Sequence, residues 1–287
     1  MSYKICVVSD TNSGITDEEA KKLGISIVPM PFIIDGEEYF EGISLDSKTF
    51  YEKLVSNAEI HTSQPSIGST TQIWDEALKK YDYVLHIPMS SALSKTYETA
   101  EMLSHQEEYE GKVFVVNNRR ISITIKHSVD EALEMIKLGK SAQEIKDFLE
   151  ATAEDSSIYL MVDTLKYLKK GGRVTPAAAL LGSLLGIKPV LQCQGGKLDT
   201  FAKCRTIKIA KKTMINQVKE DIKNRFGEDV IINFVYANNL DSIKEFIKEA
   251  KQEIPNVVDT PIDVSLSIAC HTGPGILAIT CCKKHTF

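Results

Sequence analysis

The sequence predicts an α/β protein of two domains: an N-terminal three-layer α/β/α domain on a mainly parallel sheet over residues 1–156, and a C-terminal α/β domain with a mixed sheet over residues 157–287. Three observations carry this reading. At 287 residues the chain reaches the size at which single cores divide, here into two units of about 140 residues. Along the first half, apolar strand-like runs alternate with helical 3.6-residue patterns, the order that a parallel sheet with crossover helices requires. A polar stretch at residues 153–157 then interrupts the alternation, and strand signals on both sides of residues 271–275 call for antiparallel pairing.

Residues 3–10 form the first strand, and Thr16 with Glu19 sets a capping box for a helix over 17–24 that stops at Gly24. The apolar run 25–34 reads as the second strand. Helices follow at 47–57, capped by Ser47, and at 71–81; then come a strand at 83–88, a helix at 95–108 and a strand at 112–117. Two more helices cover 128–139 and 141–152. In the second half, a strand at 158–162 leads to a helix at 164–170 and an apolar segment at 175–191. Residues 195–205 read as a hairpin-like strand and 207–226 as a long helix. Strand 230–237, helix 242–254 and strands 261–269 and 276–282 complete the pattern, the last two joined by a tight turn.

A hydrophobic share of 43% with 25% charged residues excludes disordered and fibrous classes. The net charge of −5 argues against nucleic acid as the main partner, because a phosphate backbone calls for a basic surface. No apolar run approaches the roughly 20 residues of a membrane span and the first residues lack a leader pattern, so a cytoplasmic location is expected. The cysteines (Cys6, Cys193, Cys204, Cys270, Cys281, Cys282) form no C-x-x-C pair, and no histidine spacing completes a zinc site. Buried reduced thiols, with no metal or cofactor, are the expectation.

In parallel sheets ligands sit beyond the carboxyl ends of the strands, and the loops there are rich in hydroxyls: S-D-T-N-S-G at 9–14, H-T-S-Q-P-S-I-G-S-T-T at 61–71 and M-S-S-A-L-S at 89–94. Near the end of the chain, S-I-A-C-H-T-G-P-G-I-L-A-I at 267–279 adds His271. Three chemistries compete for these residues. Ser90, Ser91 or Ser94 with His271 as base would make an acyl hydrolase, but no G-x-S-x-G elbow is present and no acid is marked to orient the histidine. The glycines at 169–174 and 271–275 would cradle phosphate in a phosphotransferase, yet neither stretch matches a Walker or dinucleotide fingerprint. Gly171 and Gly172 equally suit a left-handed helix cap that leaves Arg173 on the surface. In the third reading, hydroxyls of Thr62 and Ser94 and the imidazole of His271 converge as donors on a buried carboxylate, which needs several. Residues 177–187 then supply apolar wall or form a plain core helix.

Several segments together, over essentially the whole chain, resemble the DegV family of bacterial lipid-binding proteins. They are S-D-T-N-S-G-I at 9–15, T-S-Q-P-S at 62–66, S-S-A-L-S-K-T at 90–96, D-T-L-K-Y-L-K-K-G-G-R-V at 163–174, L-L-G-I-K-P-V-L at 184–191, K-C-R-T at 203–206 and H-T-G-P-G at 271–275. The resemblance implies a two-domain α/β fold that holds one long-chain fatty acid, such as hexadecanoate (palmitate), between its domains. It implies hydrogen bonds from Thr62 and Ser94 to the carboxylate, with His271 close to the same head group and Ser91 and Thr272 as further contacts. It also implies a carrier without turnover of its own. A partner fatty acid kinase phosphorylates the presented carboxylate, with Arg173 and Arg205 in the handover, and the acyl phosphate passes to an acyltransferase of phospholipid synthesis. Membrane contact would be transient. The chain departs from the family pattern at Lys95, where glycine is usual, and at Asn117 and Asn118 before Arg119 and Arg120, where Asp-Ser is usual. These departures bear on chain-length preference and on the surface offered to a kinase.

Overall fold

The computed structural model describes residues 4–56, 58–181 and 186–287. The first strand, β1 (Ile5–Asp10), leads through a 3-10 turn (Thr11–Ser13) to α1 (Asp17–Leu23), β2 (Ser26–Val28), β3 (Pro31–Ile34) and β4 (Glu37–Phe40). Then come α2 (Ser47–Val55), β5 (Ile60–Thr62), α3 (Ile67–Leu78), β6 (Tyr83–Ile87), α4 (Thr96–Ser104), β7 (Val113–Val115), α5 (Ile123–Lys137) and α6 (Ala142–Ala151). Four of these strands form a parallel sheet in the order β2-β1-β6-β7. Both faces of β1 are covered, because successive side chains point to opposite sides. Ile5 and Val7 pack with Ala20, Val129 and Ile145 of α1, α5 and α6, whereas Cys6 and Val8 pack with Trp74 and Leu103 of α3 and α4. That is the three-layer arrangement expected for the first half.

The second half supplies β8 (Ser156–Met161), α7 (Lys166–Gly171), α8 (Pro176–Leu180), β9 (Lys188–Cys193), β10 (Asp199–Cys204), α9 (Ile207–Asp221), β11 (Val230–Tyr236), α10 (Leu240–Lys251), β12 (Ile262–Asp263), α11 (Leu266–Thr272) and β13 (Leu277–Lys283). Its strands form a mixed sheet in the order β10-β9-β8-β13-β11-β12, antiparallel except where β12 joins β11. One face packs on α9 and α10 through Met214, Val218, Ile243 and Phe246. The other face, with Leu160, Leu191, Val235 and Ala278, looks toward the first half.

A small antiparallel sheet, β4-β3-β5, joins the two halves. Phe32 and Ile34 of β3 and Phe50 and Leu54 of α2 share one core with Leu160, Leu168, Leu266 and Ala269 of the second half. The strand expected over 25–34 is therefore two strands in different sheets: Ile27 and Val28 continue the parallel sheet, and beyond Pro29 the chain turns into β3. β4 and β5 are too short to leave a periodic signal.

Other expectations are corrected. Asp46, not Ser47, caps α2; its carboxylate accepts the Thr49 N–H at 3.0 Å, and this bond holds the carboxyl below its usual range. Thr16 caps α1, but Glu19 pairs with Lys126 instead of returning to the cap. Residues 261–269 are not a strand: β12 ends at Asp263, and the alternating V-S-L-S-I becomes the start of α11. The serines that imitate a solvent-facing register are in fact buried, and Ser265 and Ser267 both donate to Asn12 Oδ1. Residues 271–275 accordingly join a helix to a strand, not two strands. Of the helix expected over 47–57, Asn57 lies outside the described residues, as do 182–185 of the apolar segment.

Phe32 is fully buried and meets Phe50 edge-on at 5.8 Å, so Phe32→Ala removes the centre of the shared core. The expected loss is about 3–5 kcal/mol of unfolding free energy by urea titration; a change under about 1 kcal/mol would contradict this packing.

Candidate functional site

The face of the mixed sheet that looks toward the first half bounds a cavity of about 420 Å³. Its wall is mostly apolar, with Met89, Leu93 and Ile121 from the first half and Leu160, Val235 and Ala278 from the second. Thr62, Ser94, Arg173 and His271 bring polar groups to it. A mostly apolar pocket with a few convergent polar groups is the usual form of a small-molecule site.

Thr62 ends β5 and His271 lies in the last turn of α11, and between them Oγ1 and Nε2 are 2.7 Å apart. His271 reaches this position because α7 and α11 approach closely at two glycines. A Cβ on Gly171 would collide with His271 Nδ1, and a Cβ on Gly273 would enter the Tyr167 ring. Gly273 also holds φ +74°, which side chains other than glycine rarely adopt. The start of α11 is fixed from the first half: Glu41 accepts the Leu266 N–H at 2.9 Å, and its burial pushes its pKa up to about 7.

The hydroxyl-rich loops are set by Asp10, which is fully buried. Its two oxygens accept the N–H groups of Asn12 at 2.9 Å and Met89 at 2.8 Å, and burial pushes its pKa up to about 6. Ser90 turns the second loop by accepting the Ala92 N–H, and Ser94 Oγ lies 2.8 Å from Thr96 Oγ1. Arg173 is half-buried rather than on the surface. Its Nε donates to the carbonyl of Leu93 at 3.2 Å and a terminal nitrogen donates to Gly171, which ties α7 to the first-half loop. Gly172 does take the left-handed cap expected of it.

Burial, reinforced by the Arg173 guanidinium, pushes the His271 pKa down to about 4. At neutral pH its imidazole is uncharged, with one N–H, and Arg173 is the cation at that place in the wall. None of the three serines bonds His271, and among the described residues no carboxylate does. A serine–histidine–acid relay is therefore not assembled here. No group of metal-ligating side chains occurs among the described residues, and no described helix is long and apolar enough to cross a membrane.

Thr62, Ser94, His271, Arg173 and Thr272 thus share one cavity, though the Thr272 hydroxyl is turned to the carbonyls of Ile268 and Gly273. Ser91 is half-buried outside the lining, and Arg205 is exposed between β10 and α9. None of the described residues in 175–187 lines the cavity. Lys95, which departs from the family pattern, also lies in the lining; Asn12 and Gln64 in the lining and Asp10 behind it fall within the loop motifs but carry no individual signal, and Glu41 lies outside any motif.

The family model for DegV, described as "Uncharacterised protein, DegV family", matches residues 4–284. A DegV domain-containing protein of Clostridium acetobutylicum is 32% identical over 277 residues, covering 95% of each chain. Among solved structures, DegV from Bacillus subtilis, described as a fatty acid binding protein, superposes with a TM-score of 0.85 at 30% identity, covering 99% of this chain and all of that one. A Thermus thermophilus DegV family protein, described for its fatty acid binding, gives 0.88 at 27% identity over 98% of this chain and 100% of the other.

In a proton NMR titration, the His271 ring should stay neutral until the pH approaches 4. Gly171→Ala should displace the ring, break the contact with Thr62 and move this titration toward the ordinary value near 6.5. An unchanged His271 resonance in that variant would contradict the packing described.

Proposed function

The chain belongs to the DegV family, and on that premise we propose that it binds one long-chain fatty acid in the cavity, with the carboxylate at Thr62, Ser94 and His271. The observation that carries this reading is the convergence of two hydroxyls, a neutral imidazole and a guanidinium on a cavity whose wall is otherwise mostly apolar. The fatty acid binding described for the Bacillus subtilis and Thermus thermophilus relatives supports it. Thr272, in the lining, is a secondary contact once its hydroxyl turns from the backbone carbonyls, whereas Ser91 stands outside the lining.

The energetics assign separate roles to tail and head. A tail of about 14–16 methylenes, at about 0.8 kcal/mol each, offers on the order of 12 kcal/mol when fully buried. Charge-assisted hydrogen bonds contribute about 1.5–3 kcal/mol each. The tail therefore sets affinity, and the polar groups prevent a buried carboxylate from remaining unpaired.

The protein acts in this reading as a cytoplasmic carrier without turnover, its domains divided at 1–156 and 157–287. It presents the carboxylate to a fatty acid kinase and passes the acyl phosphate to an acyltransferase. Arg173 beside the head group and Arg205 on the exposed surface screen the phosphate during the handover. The neutral His271 supports binding over acid–base work, since it has no carboxylate partner.

Denaturing extraction of the purified protein followed by mass spectrometry should release one long-chain fatty acid per chain. Thr62→Val and Ser94→Ala should each weaken binding by about 10- to 100-fold without emptying the cavity. A lipid-free wild-type protein that cannot be loaded with fatty acid would overturn the reading.

A further inference from the structure

Beyond β13 the last residues leave their own sheet and run onto helices of the first half. His285 lies there between two acids: Nδ1 is 2.6 Å from Glu131 Oε1 on α5, and Nε2 is 2.9 Å from Asp155 Oδ2 in the α6–β8 connection. A neutral imidazole has one N–H and one lone pair, and a lone pair cannot bond a carboxylate oxygen. With both acids ionised, the two contacts together require the imidazolium. The His285 side chain is only 11% exposed, so water does little to replace either bond. Phe148 of α6 meets the ring edge-on at 5.1 Å, and Phe287 meets Phe148 at 5.0 Å.

The surrounding charges are accounted for. Glu131 also receives Arg120 at 3.4 Å, and Asp155 has Lys283 at 4.0 Å. Arg119 pairs with Glu154 at 3.0 Å, and Arg225 donates to the Glu154 carbonyl at 3.1 Å. His127 on α5 bonds Asn233 at 2.8 Å, and burial holds it below its ordinary range. The network reaches the cavity, because Arg120 also bonds Ser128 and the Thr152 carbonyl and is followed directly by Ile121 and Ser122, both in the cavity wall.

We propose that His285, doubly bonded as an imidazolium, is a proton-dependent latch that fastens β13 to the first-half helices, and that its deprotonation loosens the cavity between them. The sign follows from linkage. Hydrogen bonds from Glu131 and Asp155 raise the His285 pKa in the folded protein. The latch is therefore fully formed below the ordinary histidine value and is lost as pH rises through the raised one.

The ligand readout rests on the fatty-acid reading; the proton readout does not. Proton NMR should show His285 titrating above about 6.5, and amides of residues 283–287 and of α5 should lose protection, relative to their intrinsic exchange rates at each pH, as the pH rises through that titration. The dissociation rate of a fluorophore-bearing long-chain fatty acid should rise severalfold over the same pH interval. His285→Gln should dissociate fast at every pH, and Asp155→Asn, which leaves the Glu131 bond, should move both transitions to lower pH. If no fatty acid binds, the two proton readouts still decide the latch. A His285 titration at or below about 6.5, or an unaltered pH profile in both variants, would overturn it.

Discussion

The candidate site depends on one hydrogen bond, between Thr62 and His271, residues 209 positions apart in the chain. It closes the first half over the face of the mixed sheet, and it exists only because α7 and α11 meet where Gly171 and Gly273 offer no side chain. Glu41 and Asn12 then fix the start of α11 from the first half, and Arg173 fastens the end of α7 to the Leu93 loop. The cavity is a consequence of these crossings. The halves share one core around Phe32, Leu168 and Ala269, and beside that core the pairing of their loops leaves the cavity open.

This arrangement explains the unusual electrostatics. Burial moves both kinds of group toward their neutral forms: it pushes His271 down to about 4, which leaves the imidazole uncharged at neutral pH, and Asp10 up to about 6, which leaves it a carboxylate there. The half-buried cation at the cavity is Arg173, committed to two carbonyls, whereas Lys95 at the rim is exposed and paired with Glu98. A preformed cation among neutral donors suits an anion with few atoms, and the apolar wall beyond it suits a long aliphatic tail. Neither half alone would recognise such a molecule.

Much of this was legible in the sequence. The parallel first sheet followed from alternation, since strands such as β1 are buried on both faces and read as continuous apolar runs. Thr62, Ser94 and His271 could be grouped because their residue types suit a carboxylate, and the structure does bring them to one cavity. The failures have a common cause. Ser265 and Ser267 imitate an exposed strand register but are buried against Asn12, more than 250 residues away. Glu41 and the small β4-β3-β5 sheet matter only through contacts with the second half. Residues whose role is to join the halves carry no local period, so no window of sequence reveals them.

The most direct measurement is a crystal structure of the protein with a bound long-chain fatty acid. The account predicts carboxylate oxygens within about 2.6–3.2 Å of Thr62 Oγ1 and Ser94 Oγ, His271 at the same head group, and the tail along Leu160 and Ala278. A carboxylate placed elsewhere, with the methyl end against Thr62 and His271, would contradict it.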